Sequence, residues 1–124
     1  MTITDKEIKA DYKNRINRVF EFIDENLESD LSLNTVSEIA FFSPFHFHRV
    51  FKFVTEETLN EYVTRRRIEK SASDLLHKSI TATEIAHTYG FSDNSSYSRA
   101  FKKYFGLSPT EFKKQNPNRH SKIR

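Results

Sequence analysis

Residues 80–112, ITATEIAHTYGFSDNSSYSRAFKKYFGLSPTEF, decide the fold. Thr81 and Glu84 have capping-box spacing, flanked by Ile80 and Ile85 where a hydrophobic staple would sit, so the spacing predicts a helix starting at Ala82. Gly90 supplies the left-handed residue that ends it, and Ser92 is the expected cap of the next helix. In that second helix Tyr97, Phe101 and Tyr104 share one face, while Asn94, Ser95, Ser98, Arg99, Lys102 and Lys103 lie elsewhere. Helix, turn, helix is the pattern.

The same text occurs upstream as LSLNTVSEIAFFSPFHFHRVFKFVTEETLNEY, residues 31–62. Leu31, Ser32, Val36 and Ser43 precede Ile80, Thr81, Ile85 and Ser92 by 49 positions. After one inserted residue in the second copy the offset is 50, pairing Phe47, Arg49, Phe51 and Lys52 with Tyr97, Arg99, Phe101 and Lys102, and the Thr58–Glu61 box with Ser108–Glu111. Caps, apolar positions and basic positions repeat together, the mark of a duplicated structural unit. Phe41 stands where the second copy has Gly90; it either adopts a left-handed backbone at a cost of about 1 kcal/mol or the helix ends in another way.

Around the repeats, residues 5–26 place Ile16, Val19, Phe20, Ile23 and Leu27 three and four apart, which predicts an amphipathic helix with Asp24, Glu25, Glu28 and Asp30 facing water. Leu33–Ala40 is expected to be a short helix. Ser43 caps the next, with Pro44 at its first position. Phe47, Val50, Phe51 and Val54 are its expected inward stripe, and Phe45 points out beside His48, Arg49 and Lys52. Residues 59–76 read as a helix of roughly 27 Å joining the repeats, with Leu59, Tyr62, Val63, Ile68, Ala72, Leu75 and Leu76 apolar. Pro109 opens a last short helix to about Gln115, and residues 116–124 form a basic tail. The expected division is 1–57, 58–77, 78–115 and 116–124.

Composition narrows the function. The 124 residues carry no cysteine, which excludes disulfides, cysteine metal sites and a thiol nucleophile, and fits the cytoplasm. No apolar run suggests a signal peptide or membrane span. Net charge is +3, but residues 1–31 hold five Lys/Arg against eight Asp/Glu and the remainder fifteen against nine. The repeat region is the basic part, as contact with a polyanion requires, although solvated helix surfaces give the same balance. His46 and His48 lie about 200° apart on a helix and do not share a metal ion. The two glycines, Gly90 and Gly106, are both explained as helix stops, and no nucleophile–base set stands out, so no enzyme and no cofactor is implied.

Ile85-Ala86, Gly90-Phe91-Ser92, Tyr97, Arg99-Ala100-Phe101-Lys102-Lys103, Phe105-Gly106 and Ser108-Pro109 closely resemble the signature of AraC/XylS-type transcription regulators. The first copy, Arg65-Arg66-Arg67-Ile68 and the leading helix also fit, over about residues 12–115. The resemblance implies an all-α fold of about seven helices: two helix-turn-helix subdomains, homeodomain-like repeats, joined by a long helix. It also implies a regulator, most often an activator contacting RNA polymerase, whose second helices enter the major groove of double-stranded DNA. Phe41 and Glu56 replace glycines common in the family's first unit. The wording SPFHFHRVFK is similar to members with a GyrI-like effector domain after the DNA-binding region, which would make this chain a fragment. The alternative is a free-standing regulator of the MarA/SoxS group.

Carried over by position, the first reading helix presents Phe45, His46, His48, Arg49 and Lys52, and the second Asn94, Ser95, Ser96, Ser98 and Arg99. Arginine donates two parallel hydrogen bonds to guanine O6 and N7, asparagine pairs with adenine, and an apolar ring presses on the thymine methyl, unless Phe45 packs on the neighbouring subdomain and Ser95 caps its helix instead. Arg49 and Arg99 instead pair with carboxylates or touch phosphate if they do not read bases. Lys52, Lys102 and Lys103 sit where phosphates would pass, or are unengaged surface lysines. Part of the Arg65–Arg67 run is expected to be structural. The competing functions are a helical adaptor that binds protein through Phe45 and Phe53, and a non-specific architectural DNA binder.

Overall fold

The computed structural model describes residues 4–116, and the basic stretch after Asn116 lies outside them. The described residues form seven helices and no strand: α1 (Asp5–Glu25), α2 (Leu33–Ile39), α3 (Pro44–Thr55), α4 (Leu59–His77), α5 (Ala82–Thr88), α6 (Asn94–Phe105) and α7 (Pro109–Gln115). They fall into two compact units whose boundary lies between Val63 and Thr64, inside α4. None of these helices is long and apolar enough to cross a membrane.

In the first unit the three- and four-residue spacing of α1 buries Ile16, Val19 and Ile23 completely or nearly so. They meet Leu27, Leu31, Val36, Ala40, Phe47, Phe51, Leu59 and Val63 in one apolar core. Each large side chain so buried contributes about 1.5–3 kcal/mol. Phe20, Phe51 and Tyr62 form an aromatic triangle with centroids 5.3–6.1 Å apart. The acidic end of α1 is exposed as expected. Val54 corrects the expected inward stripe of α3: it is 46% exposed, because the core is filled by the larger Phe47 and Phe51.

The second unit repeats the plan. Ile68, Ala72, Leu75, Ile85, Ala86, Tyr89, Tyr97, Phe101 and Pro109 are buried, and the rings of Phe101, Phe105 and Phe112 cluster with centroids 4.7–5.3 Å apart. This core also holds polar groups, each with a partner. The Tyr97 hydroxyl donates to Ser71 Oγ at 2.9 Å, and Ser71 Oγ donates to the Ile68 carbonyl at 2.7 Å. Tyr89 donates to the buried Asp74 carboxylate at 2.6 Å, and Lys78 pairs with its other oxygen at 3.3 Å. Burial of the Tyr97 phenol, and secondarily the Asp74 charge, push its pKa up to about 12, although the Ser71 hydrogen bond works against them.

The two turns use the same hydrogen bonds. At the end of α5 Gly90 is left-handed (φ 77°), its N–H donates to the His87 carbonyl and that of Phe91 to Ala86, which is the Schellman arrangement. At the end of α2 Phe41 takes the same place at φ 58°, with Phe41 bonded to Glu38 and Phe42 to Ser37. Phe41 therefore accepts the strain, and its ring is 72% exposed. Glu56 after α3 (φ 64°) likewise matches Gly106 after α6 (φ 76°), each donating its N–H to the residue four back, Lys52 or Lys102, at 2.8 Å.

One expected cap is wrong. Ser43 does cap α3, but α6 is capped by Asp93, whose carboxylate accepts from the Ser96 N–H at 2.7 Å. The residue inserted in the second copy is thus Ser92 itself, and the offset reaches 50 before the cap. Asp93 wins because a carboxylate is the stronger acceptor and carries the charge that a helix N-terminus favours. Ser92 Oγ instead lies 3.1 Å from Ser96 Oγ. At Thr81 the forward half of the expected box forms, Glu84 N–H to Thr81 Oγ1 at 3.1 Å, while the Glu84 carboxylate takes the Thr81 hydroxyl. Thr58–Glu61 and Ser108–Glu111 form both halves.

Candidate nucleic-acid interface

Each unit sets a twelve-residue helix after a short helix and a left-handed turn, and each packs it by the same two positions. Phe47 and Phe51 on α3, Tyr97 and Phe101 on α6, are fully buried. With one face so committed, the 100° step of an α-helix fixes what faces away. On α3 this is Phe45, Arg49 and Phe53 along one line, with His48 and Lys52 beside it; on α6 the same register holds Ser95, Arg99 and Lys103, with Ser98 and Lys102 beside it.

Phe45 is 73% exposed, and the Arg49 guanidinium carbon lies 5.9 Å from its ring centroid, a cation–π distance. His48, Arg49 and Lys52 are exposed. Arg99 is exposed and reaches back to Ser96 Oγ at 3.4 Å. Neither Arg49 nor Arg99 forms an ion pair among the described residues, although the Arg99 charge acts on the Asp93 carboxyl. Asn94 and Ser95 are exposed at the start of α6 and Ser98 is half-buried. Lys102 and Lys103 are exposed, with the Lys103 ammonium 5.6 Å from the Tyr104 ring centroid.

Two of the expected site residues have partners inside their own unit. The N–H of His46 bonds Ser43 Oγ, its Nε2 lies 3.2 Å from the Tyr12 hydroxyl, and its ring meets Phe42 edge-on at 4.9 Å. Ser96 is half-buried and engaged with Asp93, Ser92 and Arg99. The Asp93 carboxyl is held below the usual carboxylate range, first by the Ser96 backbone N–H, then by its hydroxyl and by the Arg99 charge. Arg65 and Arg66 both bond Glu69 within α4, at 3.3 and 2.6 Å, so this part of the arginine run is structural.

Sequence reasoning missed Tyr12 and Arg15. Tyr12 braces His46, and Arg15 lies over the Phe42 ring at 4.8 Å and donates to the Phe41 carbonyl at 3.4 Å, so α1 supports the strained turn before α3. The available signal was that Tyr12 continues the three- and four-residue stripe of Ile16, Val19 and Ile23 towards the start of α1.

The helix-turn-helix domain family matches residues 36–115. The multiple antibiotic resistance protein MarA of Escherichia coli K12 is 33% identical over 108 residues, 87% of this chain and 85% of MarA. The HTH-type transcriptional activator AarP of Providencia stuartii is 32% identical over 98 residues, 79% of this chain and 73% of AarP. The DNA-binding domain of the global transcriptional factor AdpA, solved in complex with a target DNA, superposes with a TM-score of 0.71 at 21% identity, covering 83% of this chain and 96% of that one. A duplicated helix-turn-helix whose match extends over most of its length carries the assignment: this chain belongs to the AraC/XylS family of helix-turn-helix transcription regulators.

Proposed function

We propose that the protein is a sequence-specific binder of double-stranded DNA that inserts α3 and α6 into successive major-groove segments and activates transcription. One observation carries this reading. Arg49 and Arg99 stand at the same register of two helices introduced by the same turn, exposed and without ion pairs. A guanidinium so presented matches the O6/N7 edge of guanine. Phe45 and His48 flank Arg49 as further base contacts, with Phe45 suited to a thymine methyl; Asn94, Ser95 and Ser98 flank Arg99. His46 and Ser96 shape their helices rather than read. Lys52, Lys102 and Lys103 take phosphates.

α4 is a continuous helix of 19 residues, about 28 Å at 1.5 Å per residue, comparable with the roughly 34 Å between successive major grooves on one duplex face. That AarP is named a transcriptional activator supports the activating role, and an activator acting in the cytoplasm would have RNA polymerase as its second partner. Selecting bound duplexes from a random pool tests the proposal. The expected result is a motif with two conserved blocks about 10 base pairs apart. A pool that stays random while binding is retained leaves only the architectural reading.

A further inference from the structure

Alongside the reading face of α3 runs a groove of about 650 Å³ between that helix and α1. This is within the size range that takes a small organic ligand. Its apolar lining is Val50, Phe53 and Val54, of which Phe53 is 88% and Val54 46% exposed, so both are open to a ligand. Tyr12 forms one wall and is held there by its contact with His46. The rim is cationic: Lys9 and Lys13, one helical turn apart on α1, and Arg49 on α3. None of these three forms an ion pair among the described residues, and no Asp or Glu lines the groove. The nearby Asp11 is taken by Arg15 at 3.1 Å.

An apolar lining alone selects nothing, but one joined by three unpaired cations and no carboxylate selects a body that is apolar and an end that is anionic. We propose that this groove binds a small aromatic carboxylate, its ring between Tyr12 and Phe53 and its carboxylate shared by Lys9, Lys13 and Arg49. A bound carboxylate engages the guanidinium assigned to DNA, so occupancy weakens operator binding. This second step rests on the DNA-reading role of Arg49; binding in the groove does not.

The probe is 2-naphthoate, titrated into the full chain and followed by amide NMR. The expected result is saturable shifts centred on Tyr12, Val50 and Phe53. The neutral isostere 2-naphthylmethanol is expected to bind about tenfold or more weakly, because it lacks the charge-assisted contacts. The Lys9→Gln/Lys13→Gln double variant, changed only at exposed positions of α1, should lose affinity by about the same factor, and Phe53→Ser should weaken both compounds together. No saturable shift, shifts centred elsewhere, or equal affinity for the neutral compound overturns the site. So does a polyglutamate peptide that occupies the groove more tightly than the naphthoate, which would make it a protein-docking surface. Displacement of a selected duplex with the midpoint seen by NMR supports the coupling to DNA, and unchanged DNA affinity at saturation overturns that coupling. Failure to select any motif defeats the DNA-reading proposal and leaves the NMR result standing.

Discussion

Among the described residues, Phe41 and Glu56 are the ones least suited to their own backbone. Both are left-handed where the second unit has glycine, and neither is a residue type that tolerates this conformation well. Phe41→Gly and Glu56→Gly should each raise stability by about 0.5–1 kcal/mol in urea titrations, the relief of strain being partly offset by glycine's greater unfolded entropy. The reverse change, Gly106→Ala, has open space for its methyl group yet should cost about 1 kcal/mol through φ alone. At the interface, Arg99→Ala should lose about 1–3 kcal/mol on the preferred duplex and relax selectivity there, whereas Lys102→Ala should weaken all sequences alike and lower the salt slope by about 1. Equal losses for Arg99→Ala on preferred and random duplexes would refute base reading.

The position of α6 depends on a polar contact that a purely apolar core would lack. Tyr97→Phe removes the donor to Ser71 and should cost about 0.5–1.5 kcal/mol in urea titrations. The same phenol sets a limit at high pH. Its pKa is raised, so the folded form keeps a proton that the unfolded chain releases; the stability it contributes is complete below about 10 and is lost as pH rises towards about 12. Tyrosinate absorbance followed with helical circular dichroism checks this. At the other extreme the Asp93 cap, with its depressed pKa, stabilises the start of α6 above the ordinary carboxylate range and is lost as pH falls below it.

At this scale the sequence was largely legible, because helix ends are local events: Thr81, Ser43-Pro44, Gly90 and Ser108-Pro109 fixed their boundaries within a residue. Ser92 misled because two adjacent capping residues, Ser92 and Asp93, compete, and only the backbone shows where the extra residue was absorbed. Val54 misled because periodicity does not know how much of the core the larger aromatic residues already fill. The Tyr12–His46 brace joins residues 34 apart, and no local pattern announces a contact at that distance.

For the molecule as a whole, α4 is the proposed connection that lets both readers act on one duplex. Inserting about five base pairs, half a turn, between the two selected blocks should then reduce affinity to that of a single block, as a gel-shift series would show. Affinity that ignores the spacing would mean that the units bind independently. The continuity of α4 also determines how the protein comes apart. The division between the compact units passes between Val63 and Thr64, where the backbone is in mid-helix, and no loop or linker lies there. Cutting the gene at that codon would leave one product with a ragged, uncapped stub and rob the other of Thr58–Glu61, the clasp that begins the helix. Whoever wishes to study a single reader must therefore let both halves keep Thr58 and the entire nineteen-residue helix after it, so the two pieces overlap in sequence rather than abut.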